Sequence, residues 1–403
     1  MTNLPRSNIA TALGQPVGRA WEAYFDALER KANGEDIVLL SIGDPSFTTP
    51  TQVTDALVGA LRNGRTHYGP PSGEMPLRKC IASMESRNTN HTISPENVSV
   101  TLRATGGLFS AISCIANPGE NIIVPEPTYT SYVLTLGSAN IDMVQVPQDG
   151  PEFSVDPDSL LAAVDNRTRA ILINTPCNPT GHVVPAHVLE YLARECLKRD
   201  LWIISDEVYS LLYFDVPHMS LLRSTDCYDN IVVIDSLSKS HAMCGWRVGW
   251  TITPEHLAQD MSRHMCGINF GVSQFIQDAA EQALRSSDRD TLAMRREYRR
   301  RRDLIVERIN GLDGLSCRAP EAGIFVMIHS DMHGDDLAQR LLNECAVSVF
   351  PGSAFGESCR DYVRLSLTPA KEDIERACDR IEHWWRSDAP IAVDSLPLEA
   401  ARA

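Results

Sequence analysis

The 403-residue chain is predicted to be an α/β protein, with a mostly parallel sheet covered by helices on both faces and a smaller α+β domain. Three observations predict this. Ala170 to Ile173, Leu201 to Ile204 and Ile231 to Ile234 are continuous apolar runs, the pattern of strands buried on both faces. Helical periodicity fills the gaps between such runs, Ala186 to Arg199 being one case. Beyond about residue 290 a long helix is followed by short strands mixed with helices, which suits a smaller α+β unit. The expected division is 1–45, an N-terminal segment belonging with the smaller domain; 46–290, the large domain; 291–386, the smaller domain; and 387–403, a tail.

Trp21 to Ala32 has the spacing of an amphipathic helix, and Ile37 to Ile42 is an apolar run ending in Gly43-Asp44-Pro45. There glycine permits a tight turn and proline ends the strand. Thr66 to Gly73, which holds Tyr68, is a loop by its proline and glycine content. Val98 to Leu102 alternates as a strand and passes through Arg103-Ala104-Thr105-Gly106-Gly107 into a helix, Leu108 to Ala116. A strand, a small-residue turn and a helix N-terminus make an anion site, because free N–H groups and the helix dipole point the same way. Asn121 to Val124 is the next strand, followed by Glu126-Pro127-Thr128-Tyr129.

The ends of the three apolar runs carry the chemistry. Asn178 follows the first, Asp206 and Tyr209 the second, and Ser236, Ser238 and Lys239 the third. Ligands of parallel sheets gather beyond the carboxyl ends of the strands. A lysine leaving a buried strand is partly desolvated, which favours its neutral amine and Schiff-base chemistry. Arg247 adds a planar cation suited to phosphate, with Gly245 and Gly249 allowing a tight turn around it. Arg364, inside an apolar strand, is costly to bury unpaired, and a structural salt bridge is the usual explanation. The basic run Arg295 to Arg302 alternates with Met294, Tyr298, Ile305 and Ile309 and reads as the solvated face of a helix.

Composition narrows the function. Hydrophobic residues at 43% and charged residues at 22% are ordinary for a soluble enzyme. A net charge of -15 disfavours nucleic acid or an anionic membrane as partner. The eleven cysteines include no Cys-x-x-Cys pair, and His264 with Cys266 is too few ligands for zinc, so no metal is expected. With no apolar signal core and no membrane-spanning stretch, the cytoplasm is the expected compartment. No Gly-x-Gly-x-x-Gly or P-loop fingerprint is present.

Ser-Leu-Ser-Lys at 236–239 followed by Gly-Trp-Arg-Val-Gly at 245–249 resembles the cofactor-lysine signature of the class I/II aminotransferases, within the fold-type I pyridoxal-phosphate enzymes. Nearly the whole chain, from about Ile37 to the 380s, follows that pattern. The wording at 200–210 and 236–250 is most similar to the arginine–pyruvate transaminase branch.

The resemblance implies pyridoxal 5'-phosphate linked to Lys239. It assigns Ala104, Thr105, Ser236, Ser238 and Arg247 to cofactor binding, and Tyr68 to the phosphate of a neighbouring subunit, hence a homodimer with shared sites. Tyr129 would stack on the pyridine ring, Asp206 would pair with its nitrogen, and Asn178 and Tyr209 would meet its phenolic oxygen. Gly43, Asn178 and Arg364 would bind substrate, Arg364 gripping the α-carboxylate. Arg103 and Ala104 depart from the pattern, standing where the family usually has smaller residues.

The implied activity moves an amino group from an L-amino acid, arginine or another long donor, to a 2-oxo acid such as pyruvate. Asp44 and Glu126 are candidates to favour a cationic donor. Aspartate- or aromatic-type transamination, or lyase and cyclase chemistry on the same scaffold, are the alternatives, because the cofactor carries the chemistry. A cofactor-binding transcription regulator is remoter still, as the segment before Gly43 is short for a DNA-binding module.

Overall fold

The computed structural model describes residues 18–388 except 90, 151, 227 and 287, together with residues 7 and 9. The tail expected at 387–403 therefore lies outside the described residues beyond 388. A short strand, β1 (Val38–Leu39), precedes the central sheet. That sheet comprises β2 (Val98–Thr101), β3 (Asn121–Glu126), β4 (Asp142–Pro147), β5 (Thr168–Asn174), β6 (Trp202–Asp206), β7 (Ile231–Ser236) and β8 (Gly249–Ile252). Its order is β2-β8-β7-β6-β5-β3-β4, and only β8 runs antiparallel to its neighbours.

The apolar runs are continuous because both faces are covered. Alternate residues of β7 go to opposite sides: Ile231 and Val233 join Leu189 and Leu192 of the helix Ala186–Lys198, while Val232 and Ile234 join Leu108 and Ile112. Each such side chain contributes about 1.5–3 kcal/mol when buried. The strand therefore cannot present a polar face until it ends, and the polar residues collect at the ends.

The smaller domain carries the antiparallel strands β9 (Leu315–Cys317), β10 (Phe325–Ser330), β12 (Phe350–Pro351) and β13 (Tyr362–Ser366), in the order β12-β13-β10-β9. β1 pairs in parallel with β11 (Val347–Ser348), Val38 opposite Val347. Met294, Tyr298, Ile305 and Ile309 of the long helix Asp288–Asn310 pack beneath the sheet, as the spacing predicts.

Three local expectations are corrected. The helix after β2 spans Arg103–Ile115, starting five residues before Leu108. Gly107 is needed there for close packing, since a Cβ would come within 2.8 Å of Thr251 Cγ2. Around Arg247 the left-handed residues are Ala242 (φ 51) and Arg247 itself (φ 57), not Gly245 or Gly249.

The basic run is also not all solvated. Arg301 and Arg302 are buried, at 5% and 4% exposure. Arg301 donates to the carbonyls of Leu367, Thr368 and Pro369, and Arg302 to Asp215 and the Pro320 carbonyl. Backbone carbonyls just past the end of β13 make Arg301 a structural tie, and Asp215 with the Pro320 carbonyl does the same for Arg302.

Candidate active site

Beyond the carboxyl ends of β5, β6 and β7 lies a cleft of about 440 Å³. Eleven of the thirteen residues singled out from the sequence line it: Gly43, Ala104, Thr105, Tyr129, Asn178, Asp206, Tyr209, Ser236, Ser238, Lys239 and Arg247. They arrive from seven separate stretches of chain, which parallel topology brings to one edge.

Lys239 sits on a single turn, Leu237–Ser240, capped by Ser236, whose Oγ accepts from Ser238 N–H at 3.4 Å. Its Nζ donates to the Gly43 carbonyl and lies 3.5 Å from Cys244 Sγ. The lysine thus bridges the end of β7 and the loop after β1.

Asp206 ends β6 and is almost fully buried. It accepts from Tyr132 Oη at 2.6 Å and from Val208 N–H at 3.4 Å. Burial pushes its carboxyl up to about 6, with the two hydrogen bonds opposing the rise. Asn174 ties the neighbouring strand ends together: its Nδ2 donates to the Asp206 carbonyl at 3.0 Å and its Oδ1 accepts from Asn178 N–H at 2.7 Å. Tyr209 is buried, and burial raises its phenol well above the ordinary range. Tyr129 meets the edge of Tyr132, ring centroids 5.4 Å apart.

At the opposite end of the cleft, Ala104 and Thr105 occupy the first turn of the helix Arg103–Ile115. Their N–H groups belong to the set that a helix leaves without intrahelical partners. Arg247 faces the same end, its Nη1 donating to the Cys244 carbonyl. Burial, and then the charge of Arg103, lowers its proton affinity.

Two predicted residues are placed elsewhere. Arg364, on β13, lies behind the cleft wall at 4% exposure, donating to Asn178 Oδ1 at 2.8 Å and to the Ser41 carbonyl at 2.7 Å. Its guanidinium carbon is 3.7 Å from the Phe325 ring centroid, and Nε has no partner. The usual salt bridge is absent among the described residues; carbonyl and amide oxygens with aromatic faces take its place. Burial lowers its proton affinity to about 10, so it remains a cation at neutral pH. Tyr68 stands outside the cleft, 85% exposed, against Phe270 at 4.9 Å between ring centroids.

Sequence reasoning missed Tyr132 and Cys244. The only available signal for Tyr132 was its place one helical turn from Tyr129. Of the two acids considered for a cationic donor, Asp44 lines the cleft. Glu126 instead is buried and accepts from Ser358 N–H at 2.8 Å.

This arrangement offers an amine, a buried carboxylate and an anion pocket around a flat cleft. The family model for aminotransferase class I and II matches residues 35–381. The chain belongs to the class I and II aminotransferases. This aminotransferase is 39% identical over 366 residues to an arginine–pyruvate transaminase of Pseudomonas aeruginosa, covering 90% of this chain and 93% of the relative. It is 31% identical over 364 residues to an aspartate aminotransferase of Pyrococcus horikoshii, covering 89% and 93% respectively. Among solved structures, an aspartate aminotransferase of Thermotoga maritima superposes with TM-score 0.90 at 32% identity, over 95% of this chain and 100% of that one.

Aminotransferases of this family use pyridoxal 5'-phosphate and act on amino acids and 2-oxo acids. The residues present fit that cofactor. The buried Asp206 carboxyl has no cationic partner among the described residues, so a cationic ring nitrogen would supply one and favour its charged form, and the helix N-terminus with Arg247 suits a phosphate. Among the described residues no helix is long and apolar enough to cross a membrane, and no His/Cys/Asp/Glu cluster could hold a metal.

Proposed function

We propose that this aminotransferase takes the amino group from a donor with a long cationic side chain, arginine foremost, and delivers it to a 2-oxo acid such as pyruvate. Asp44 carries the proposal. It stands exposed on the cleft wall beside the Gly43–Lys239 contact and forms no ion pair among the described residues. The transaminase at 39% identity, whose name gives that pair of substrates, supports the same donor.

When bound, the cofactor supplies an electron sink for charge developing at the substrate α-carbon. The protein's part is positioning and proton transfer. Lys239 takes the proton from the α-carbon and returns it one position away, as base and then acid. Asp206, held by Tyr132, would keep the ring nitrogen protonated. Asn178 and Tyr209 would hold the phenolic oxygen, and Tyr129 would support one ring face. Ala104, Thr105, Ser236, Ser238 and Arg247 would receive the phosphate. Arg364 fixes the α-carboxylate with Gly43 and Asn178, leaving choice of side chain to the loop at Asp44.

Asp44→Asn is expected to lower kcat/KM for arginine about five-fold while leaving alanine unchanged, the size of one partly exposed ion pair. Steady-state kinetics with arginine, aspartate, alanine and phenylalanine, against pyruvate and 2-oxoglutarate, checks this. A wild-type preference for aspartate over arginine would sink the donor assignment and leave the aminotransferase intact.

A homodimer with shared sites belongs to the same reading. Its support is Tyr68, an aromatic left 85% exposed outside its own cleft. Mixing Lys239→Ala with Tyr68→Ala protein should raise activity above either alone, because one hybrid site has both groups. No rise, with subunit exchange verified, counts against sharing. The cytoplasm suits the ten described cysteines, all free, and cell fractionation checks it.

A further inference from the structure

We propose that Arg103 is a second guanidinium at the phosphate end of the cleft, holding the cofactor phosphate together with Arg247. This rests on the assignment of that end to the phosphate.

The backbone gives the first reason. Arg103 has φ 59, a left-handed conformation that glycine adopts freely and a residue with a Cβ does not. Two contacts hold it there. Thr101 Oγ1 donates to its carbonyl at 2.9 Å. Strand β8 presses from the other side, since a Cβ on Gly249 would lie 2.8 Å from the Arg103 carbonyl carbon and from Ala104 N. The side chain therefore leaves from a fixed point at the first residue of the helix. Strain maintained in this way is characteristic of functional positions.

Charge gives the second reason. Arg103 lines the same cleft as Arg247 and forms no ion pair among the described residues. The two guanidiniums are near enough for Arg103 to oppose the charge of Arg247. They repel one another at a helix end that is itself positive, with no carboxylate among the described residues paired to either. A phosphate dianion between them reverses the sign of the interaction, and its oxygens suit two planar forks.

The test uses cofactor-free enzyme and compares pyridoxal phosphate with pyridoxal, which lacks the phosphate, by absorbance titration. Arg103→Gly is expected to raise the Kd for pyridoxal phosphate about tenfold and leave that for pyridoxal unchanged, a difference of about 1.4 kcal/mol. Inorganic phosphate should compete less well in the variant, and Arg103→Lys should recover part of the loss. The melting temperature of the cofactor-free variant should hold or rise, because glycine relieves the backbone. An unchanged Kd for pyridoxal phosphate, or an equal loss for pyridoxal, overturns the proposal. Arg247→Ala in the same titration tests the underlying assignment separately: if it weakens both ligands alike, the phosphate lies elsewhere.

Discussion

Lys239→Ala is expected to lower kcat for transamination by about four orders of magnitude, the upper range for losing a positioned acid–base group. Lys239 is the lysine that lines the cleft, held between the Gly43 carbonyl and Cys244 Sγ. Arg247 and the helix N-terminus at Ala104 and Thr105 remain, so the variant should still retain cofactor non-covalently. Borohydride reduction of the wild type followed by peptide mapping should place the cofactor on Lys239. A tag on any other lysine refutes the assignment.

Arg364→Ala should be nearly as damaging, through binding rather than chemistry. Truncating one partner of a buried, hydrogen-bonded charge pair costs about 2–5 kcal/mol, which is about 30- to 4,000-fold in kcat/KM for every amino and oxo acid. The loss should be uniform across donors, because each carries the same α-carboxylate. The substitution also leaves Asn178 Oδ1 and the Ser41 carbonyl without their donor, so stability will fall as well. Arg364→Lys separates the two effects by keeping a cation in place. It should fold and load cofactor normally, yet still lose kcat/KM, since an ammonium cannot present a fork. Normal kinetics in the lysine variant would remove Arg364 from carboxylate binding.

The strand ends were legible because burial on both faces leaves a strand only its terminus for polar side chains. Asn178, Asp206, Tyr209 and Lys239 could therefore be placed together before any coordinates. Residues acting through a neighbour were not legible in this way. Tyr132 sits on the buried side of the helix Ser131–Ser138, where an aromatic looks like packing until the Asp206 carboxylate is seen within 2.6 Å of its hydroxyl. The burial of Arg301 depends on carbonyls at 367–369, more than sixty residues away. Helical spacing reports which face a residue occupies and not what approaches that face. Arg103 shows a different limit: the sequence marks it as out of pattern, and only the torsion angle reveals that it stands in a glycine conformation.

Phe325 lies between Gly43 and the Arg364 guanidinium. A Cβ on Gly43 would come within 2.5 Å of its Cζ, while the Arg364 guanidinium rests 3.7 Å from its ring centroid. Any side chain at position 43 must displace that ring, and the ring in turn supports the Arg364 guanidinium. The Gly43 loop and the Arg364 guanidinium are thus mechanically one part. For enzyme engineering, a library at Gly43 meant to broaden donor choice would be dominated by variants that bind every donor poorly. On the donor assignment proposed above, Asp44, one residue further on and exposed, is where selection should change preference without loosening the common grip.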